Sequence, residues 1–468
     1  MLKLIIEKEL RETIGSTKFA VSFAICSILI ILAFAIGASG YHTNVSRYEA
    51  SRRENMKQFE GLTDWLMVRQ NRVFLPPSPL AVLVAGVSND IGRTTEIRGR
   101  GELQQDDTRY NEEPVFAVFR FLDLEFIFQI VLSLFAILFA YDAINGEKER
   151  GTLRLSFANP LPRRVYVLGK LLGSFFALVV PLMIPILIGV LLLPVLGVPM
   201  SGDDWVRLAL VLLAGILYVG TFLTVSLAIS ALTQRSSTSF LMLLVIWVFA
   251  VLIIPRSAIL VAGRAVDIPS VDEIGAQKAR LNQQLWTEDR VKMAGYKPAV
   301  GNPESALQDF QKFMSSVNDE REKKMNELSL RLAEERSNKQ AVQQRLAFAI
   351  ARISPSALFS LAASGIAGTA LTLKEHYLKE ARAYQQTYAK FITDKTGMNP
   401  GGGMVFRIVN DGTPPKPIDP NELPPFVYHP QTAADLLPDA LLDLGLLALF
   451  NMVFFSIAHA AFAKYDLR

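Results

Sequence analysis

Cysteine is nearly absent from this chain. Cys26 is the single one among 468 residues, and it lies inside an apolar run. Disulfide staples are thereby excluded, so any region outside a membrane must hold by packing alone. Histidine is scarce as well. His42, His376, His429 and His459 are scattered without metal-ligand spacing and read as surface or interface residues. Catalytic signatures are missing: no HExxH, GxSxG or CxxC occurs. There is no GxxxxGK[ST] phosphate loop either. The run Gly401, Gly402, Gly403 lacks the Lys-Ser/Thr that would follow one and reads as a flexible turn. The chain therefore binds no ATP by that route, holds no cofactor of its own that the sequence reveals, and is least of all an enzyme in its own right. The formal charge is only +4, and no basic patch interleaves with aromatics. Nucleic acid is accordingly not an expected partner.

What is present is hydrophobicity, 51% of residues, gathered into long runs that charges avoid. A hydrocarbon core about 30 Å thick needs roughly 20 apolar residues at about 1.5 Å each. Phe19–Ser39, Leu124–Tyr141, Val165–Leu196, Val206–Leu232, Phe240–Ala262 and Ala440–Ala463 meet that length. The chain reads as an all-α polytopic membrane protein with six transmembrane helices, at 19–39, 123–143, 165–196, 205–232, 238–262 and 440–463. Pro181, Pro185 and Pro194 should tilt or kink the third. The first run follows a long polar lead and exceeds the usual signal-peptide core of about 7–15 residues, so it reads as a retained span. The apolar stretch Ile353–Leu373 is not counted. Pro355, Gly365 and Gly368 interrupt it, and Arg352 and Lys374 crowd its ends. It reads as a surface-lying or partly re-entrant segment.

Lysine and arginine set the orientation. Lys3, Lys8, Arg11 and Lys18 precede the first span; Lys148, Arg150, Arg154, Arg163, Arg164 and Lys170 follow the second; Arg235 follows the fourth; Lys464 and Arg468 end the chain. Six spans place all of them on one side, which puts both termini in the cytoplasm. Asp123, Glu125 and Asp142 lie at the edges of the second span, where anchoring is the expected role. The span centres carry almost no charge. That argues against an ion- or proton-coupled transporter and leaves a protein driven by a partner or a passive anchor.

Two large regions, 40–122 and 263–439, face the other side and form a mainly helical extracytoplasmic part with some β structure. Asn44–Met67 is compatible with a helix, and Pro76, Pro77 and Pro79 break it. Pro303–Ile353 has helix-forming composition without internal Gly or Pro, and Met314, Val317, Met325, Leu328 and Leu332 recur at threes and fours. A second helix is expected over Leu373–Thr393, the two forming a hairpin that stands off the membrane. The proline-rich Thr413–Pro425 reads as an extended strap.

The most informative segment is the loop 144–164. A short charged turn precedes a small amphipathic piece with Leu153, Leu155 and Phe157, then breaks at Pro160 and Pro162 before paired bases return to the membrane. Such a piece offers both charge and apolar side chains for docking. Its order of residues resembles the permease subunits of ABC-2-type (type V) exporters: Glu147 and Glu149, then Gly151-Thr152-Leu153, Pro160 with Arg163, and Gly169-Lys170. The amphipathic lead, residues 1–18, resembles the interfacial elbow helix of that family. The large outer regions resemble a subgroup related to nitrous-oxide-reductase maturation and gliding-motility permeases. The resemblance implies a bacterial cytoplasmic membrane and a separate ATPase subunit that carries ATP and Mg. It also implies a second permease chain, as homo- or heterodimer, within the membrane lipids. The ATPase would couple through Glu147, Glu149, Arg150, Gly151, Thr152, Leu153, Phe157, Pro160 and Arg163. The acidic pair would meet its basic or amide groups, with Leu153 and Phe157 filling its groove. Export is the leading expectation. A mechanotransmitter acting on a periplasmic or surface partner, or a structural anchor, are the alternatives.

Overall fold

A computed structural model describes the chain except residues 69–70, 89–90, 100, 102, 107–122, 159, 298–302, 398–416 and 466–468. Helix α1 (Leu2–Ile14) lies against the bundle and ends at Gly15. Ser16 then caps α2 (Thr17–Lys57) by accepting from the Phe19 amide. At ~1.5 Å per residue this one helix is ~60 Å long, so the first apolar run and the polar stretch after it form a single rod.

The next long helix, α3, runs through Leu124–Phe126, a π turn Ile127–Leu132, and Ser133–Ala140. Two short helices follow, α4 (Asn145–Glu149) and α5 (Thr152–Ser156), then α6 (Arg163–Val195) and α7 (Gly202–Leu232). Helix α8 is likewise interrupted by a π turn: Ser236–Trp247, Val248–Ile253, Ile254–Ala265. Beyond it come α9 (Val271–Ala294), α10 (Pro303–Ala351), α11 (Pro355–Ala367), α12 (Leu371–Thr396) and α13 (Ala433–Ala463).

Seven stretches among the described residues are long and apolar enough to cross a membrane. Six are α2, α3 with the turn after it, α6, α7, α8 and α13. The seventh, Pro355–Thr396, is split at Gly368, whose φ of 68° ends α11. At about 20 Å, α11 is too short to cross. It does not lie on a surface, however. Leu358, Phe359, Ala362, Ala363 and Ile366 are buried in the same core as α7, α8 and α13. Ser354 Oγ donates to the Ala250 carbonyl in the π turn of α8. At the other end Arg207 Nε donates to the Ile366 carbonyl at 2.9 Å, and its Nη2 to that of Ala367. The segment is thus a short helix clamped at both ends within the packed core. Its polar backbone ends are tolerable in that core because protein groups satisfy them.

Helices α7 and α13 run parallel through the middle. Each starts in a capping box, Ser201 with Asp204 and Thr432 with Asp435. Asp203 also accepts from the Ala433 amide at 3.0 Å, tying the two starts together. Lower down, Asn451 Nδ2 donates to the Leu217 carbonyl and to Thr221 Oγ1, both at 2.9 Å. Gly220 leaves the space for it: a Cβ there would stand 2.8 Å from the Asn451 amide oxygen.

The two insertions at the end opposite the termini build one domain between them. The first supplies an antiparallel sheet in the order β1 (Asn71–Phe74), β2 (Thr94–Ile97), β3 (Gln104–Asp106), with Asn71 opposite Ile97 and Thr94 opposite Asp106. The second supplies α12, whose Tyr377, Ala381, Tyr384, Tyr388 and Ile392 fall on one face and pack on Trp65, Val73 and Ile97. Tyr377 donates to the Val73 carbonyl (2.9 Å) and Tyr384 to that of Pro424 (2.7 Å), so the strap is pinned to the same domain.

The expected hairpin has a different second arm. Helix α10 pairs not with α12 but with α9. Lys292–Glu320 (2.6 Å), Arg321–Asp289 (3.1 Å) and Lys324–Glu288 (3.5 Å) bridge them, and Tyr296 stacks on Phe313. The tyrosine face of α12 is larger and more apolar than the α10 stripe, so it takes the sheet, and the charged faces find each other.

Candidate coupling site

At the end of the bundle that carries both termini, the loop after α3 is folded tightly into its neighbours. Glu147 stands in α4, with its side chain only 3% exposed. Its Oε1 accepts from Lys170 Nζ at 2.7 Å and from Lys8 Nζ at 2.8 Å, and its Oε2 accepts from Tyr166 OH at 2.7 Å. Lys170 also donates to Glu9 Oε1 at 2.6 Å. Two carboxylates and two ammonium groups thus neutralise one another where α1, α4 and α6 meet. Burial pushes the Glu9 carboxyl above its ordinary range, against the pull of Lys170. Small residues permit the contact. A Cβ on Gly169 would meet Ile5 at 2.7 Å, and one on Gly173 would meet the Glu9 Cβ at 2.5 Å.

The same loop grips three further helix ends. Ser230 Oγ in α7 accepts from the Ile144 and Asn145 amides at 3.0 and 3.1 Å. Asn145 Nδ2 donates to Thr233 Oγ1 at 2.9 Å. Lys148 Nζ donates to the Ala231 carbonyl (2.6 Å) and the Thr233 carbonyl (3.2 Å), which a helix C-terminus leaves without intrahelical partners. Glu149 accepts from the Ser236 amide (3.0 Å) and hydroxyl (2.7 Å) and so caps α8. Arg163 Nη1 donates to the Phe462 carbonyl at 3.3 Å and to the Ala463 carbonyl, closing on α13. Phe157 packs on Tyr166 and Phe462, with centroids 5.3 and 5.7 Å apart.

This arrangement divides the expected residues into inward and outward sets. Glu147 and Leu153, the latter 2% exposed, point into the bundle, and Phe157 packs there too. They hold the loop to the bundle. Gly151, with φ of 71°, supplies the left-handed turn from α4 into α5. Glu149, Arg150, Gly151, Thr152, Arg154, Leu155, Pro160 and Arg164 are among the exposed members, with Leu155 74% exposed. The sequence reading missed Lys8, Glu9 and Tyr166 as parts of the site. One signal was available: Lys170 stands two turns inside an otherwise apolar helix, a position that demands a partner.

The sequence profile of the ABC-2 family transporter proteins matches residues 4–466. The chain belongs to the ABC-2 transporter family. Members of that family are membrane permease subunits without ATPase motifs, and they partner a separate ABC ATPase. A search of curated protein sequences gives no match. The match spans both insertions as well as the bundle, so the outer domain lies within the family region of this ABC-2 permease.

The close approach of α1 to α6 gives a direct test. In the ABC-2 permease, Gly173→Leu should force α1 off α6, because the leucine needs the space of the Glu9 side chain. Overpacking of this kind costs about 1–3 kcal/mol. A lower melting temperature with increased protease cleavage before Thr17 is expected; an unchanged digestion pattern would contradict the packing.

Proposed function

We propose that this permease exports a substrate across a bacterial cytoplasmic membrane, with both termini in the cytoplasm, driven by a separate ATPase that docks on α4 and α5. One observation carries the reading: a single short loop is bonded to α1, α6, α7, α8 and α13 together. A push on it moves the terminus-bearing ends of five helices, which is what an ATP-driven closure needs. The docking contacts are the outward residues Arg150, Arg154, Leu155 and Arg164, with Thr152 and Pro160 beside them. Glu147, Glu149, Gly151, Leu153, Phe157 and Arg163 transmit the motion. A second permease chain completes the complex.

The two sets of residues separate in an experiment. Leu155→Asp should abolish co-purification of the ATPase, with the permease still folded and inserted. Glu147→Gln should keep the ATPase bound while lowering transport per ATP hydrolysed at least tenfold. Retained ATPase binding in Leu155→Asp would sink the docking assignment.

A second reading has its own observation. Helix α10 has 49 residues and is ~74 Å long, and with α9 it forms a charged hairpin far larger than a pathway requires. A mechanotransmitter would use that arm on an outer partner. Deleting the hairpin between α8 and α11 distinguishes the two: an exporter keeps substrate-stimulated ATP hydrolysis, and a mechanotransmitter loses its output with the arm.

A further inference from the structure

Helix α10 is held at its foot by the same two helices whose opposite ends the coupling loop grips. Arg352, just past the end of α10, forks onto Asp443 of α13. Its Nε donates to Oδ1 at 2.6 Å and its Nη2 to Oδ2 at 3.3 Å. Asp443 is only 4% exposed, and a two-pronged pair of this kind fixes direction as well as distance. On the other flank Ile350 and Ala351 pack with Ala258 of α8 and Ala357 of α11. Gln343 Nε2 donates to the Val266 carbonyl, just past the end of α8, at 3.3 Å. Ser354 donates to the Ala250 carbonyl inside the π turn of the same helix. The last turns of α10 thus run antiparallel along the Ile254–Ala265 part of α8 and are pinned to α13 at one point.

The far ends of α8 and α13 are held separately. Glu149 in α4 caps α8 at Ser236, and Arg163 at the start of α6 reaches the last carbonyls of α13. Pro160 and Pro162 lie between these two grips, so they do not belong to one rigid helix. Within the bundle α8 is bonded to α3, through Trp247 Nε1 on Ser133 Oγ and Ser239 Oγ on the Tyr141 carbonyl, both at 2.8 Å. Helix α13 is bonded to α7 instead, through Asn451.

The arm is long compared with its drive. Ser236 lies ~21 Å from Ala250 along α8, whereas α10 extends ~74 Å from the foot. Pairing with α9 stiffens its outer half through the ion pairs described above. Halfway out, Asn326 only brushes Gly101 of the β2–β3 turn, an added Cβ there standing 3.6 Å from its amide oxygen.

We infer that α10 is a lever arm with its pivot at Arg352–Asp443 and Ser354–Ala250. A small displacement of the Ser236 end of α8 against α13 becomes a sweep of the α9–α10 hairpin about 3.5 times larger. A helix shift of ~2 Å, usual at driven interfaces, moves the tip by ~7 Å. The permease thereby delivers mechanical work beyond its bundle, an activity separate from passing a solute. Arg352 and Asp443 are positioning residues for it. The inference rests on the docking reading only for its driver.

Its test moves the helix ends directly and needs no ATPase. In a full-length Cys26→Ala chain in nanodiscs, Arg235→Cys and Lys464→Cys are joined by either a short or a long bis-maleimide. Azide-bearing residues at the exposed positions Gln311 and Ala434 carry a donor–acceptor dye pair, and a second pair joins Gln311 to Glu54. Exchanging the linkers should shift at least one of the two distances by about three to four times the change in linker length. Arg352→Gln should cut that shift to less than half, and Arg352→Asp with Asp443→Arg should restore it. Arm distances that are the same with both linkers overturn the inference, as does a full sweep in Arg352→Gln. Should Arg352→Gln fail to fold, the two-linker comparison in the parent still decides. A sweep under the linkers while ATPase still binds Leu155→Asp sinks the docking reading and leaves the lever standing; a motionless arm with binding lost does the reverse.

Discussion

Lys170→Met should melt far below the wild type. The substitution leaves Glu147 and Glu9 buried with only Lys8, whose side chain is 46% exposed, as counter-charge. Removing one partner from a buried ion cluster costs about 3–5 kcal/mol, because the remaining charge keeps its desolvation penalty. Neutralising the whole group is a different matter. Lys170→Met combined with Glu147→Gln and Glu9→Gln leaves no unpaired charge and should recover at least half of the lost melting temperature. The ATPase complexed with the triple variant should nonetheless hydrolyse ATP without matching transport, since α1 and α6 are no longer tied to the loop. A Lys170→Met chain that melts with the wild type would show that the cluster contributes nothing.

Arg207→Met should have an effect of similar size at the opposite end. Arg207 is 6% exposed, donates to the carbonyls that end α11, and lies 3.6 and 3.7 Å from Asp203 and Asp204. Its loss strands two carbonyls and a buried carboxylate, again about 3–5 kcal/mol. Arg207→Lys keeps the charge but not the planar fork, so it should restore only part of the stability. A cysteine placed at Ala367 in a Cys26→Ala background reports on the clamp. It should resist maleimide in the parent and react once Arg207 is gone. Protection that persists would mean that α11 holds its place by apolar packing alone.

The membrane-spanning helices were legible because a bilayer imposes a length rule that apolar runs obey or do not. Helix α11 escaped that rule. Thirteen residues cannot span, and their burial depends on Arg207, Ser354 and Gln129 meeting backbone groups that a sequence does not place. Glu147 looked exposed because charge usually is. Its burial depends on Lys8, 139 positions earlier, and Lys170, 23 later. Helix α9 was missed although Ser270 with Glu273 three residues on is a start signal, and Ser270 does accept from the Glu273 amide. The hairpin was then assigned the wrong arm because α10 and α12 are both long and polar. Only the spacing of Tyr377, Tyr384 and Tyr388 distinguishes the helix that covers a sheet from the one that pairs through charge.

The outer domain has a consequence for biosynthesis. Among the described residues its three strands have all been made by Asp106, yet the face that covers them begins at Leu371. About 260 residues separate the two, so at roughly 5–20 residues per second the sheet waits on the order of ten to fifty seconds. Throughout that interval Val73 and Ile97 have no α12 to bury them, while α3, α6, α7 and α8 enter the bilayer. A nascent chain stalled before Leu371 should therefore be a substrate for whatever chaperones patrol the far side of the membrane, and release from them should coincide with synthesis of Tyr377 to Ile392.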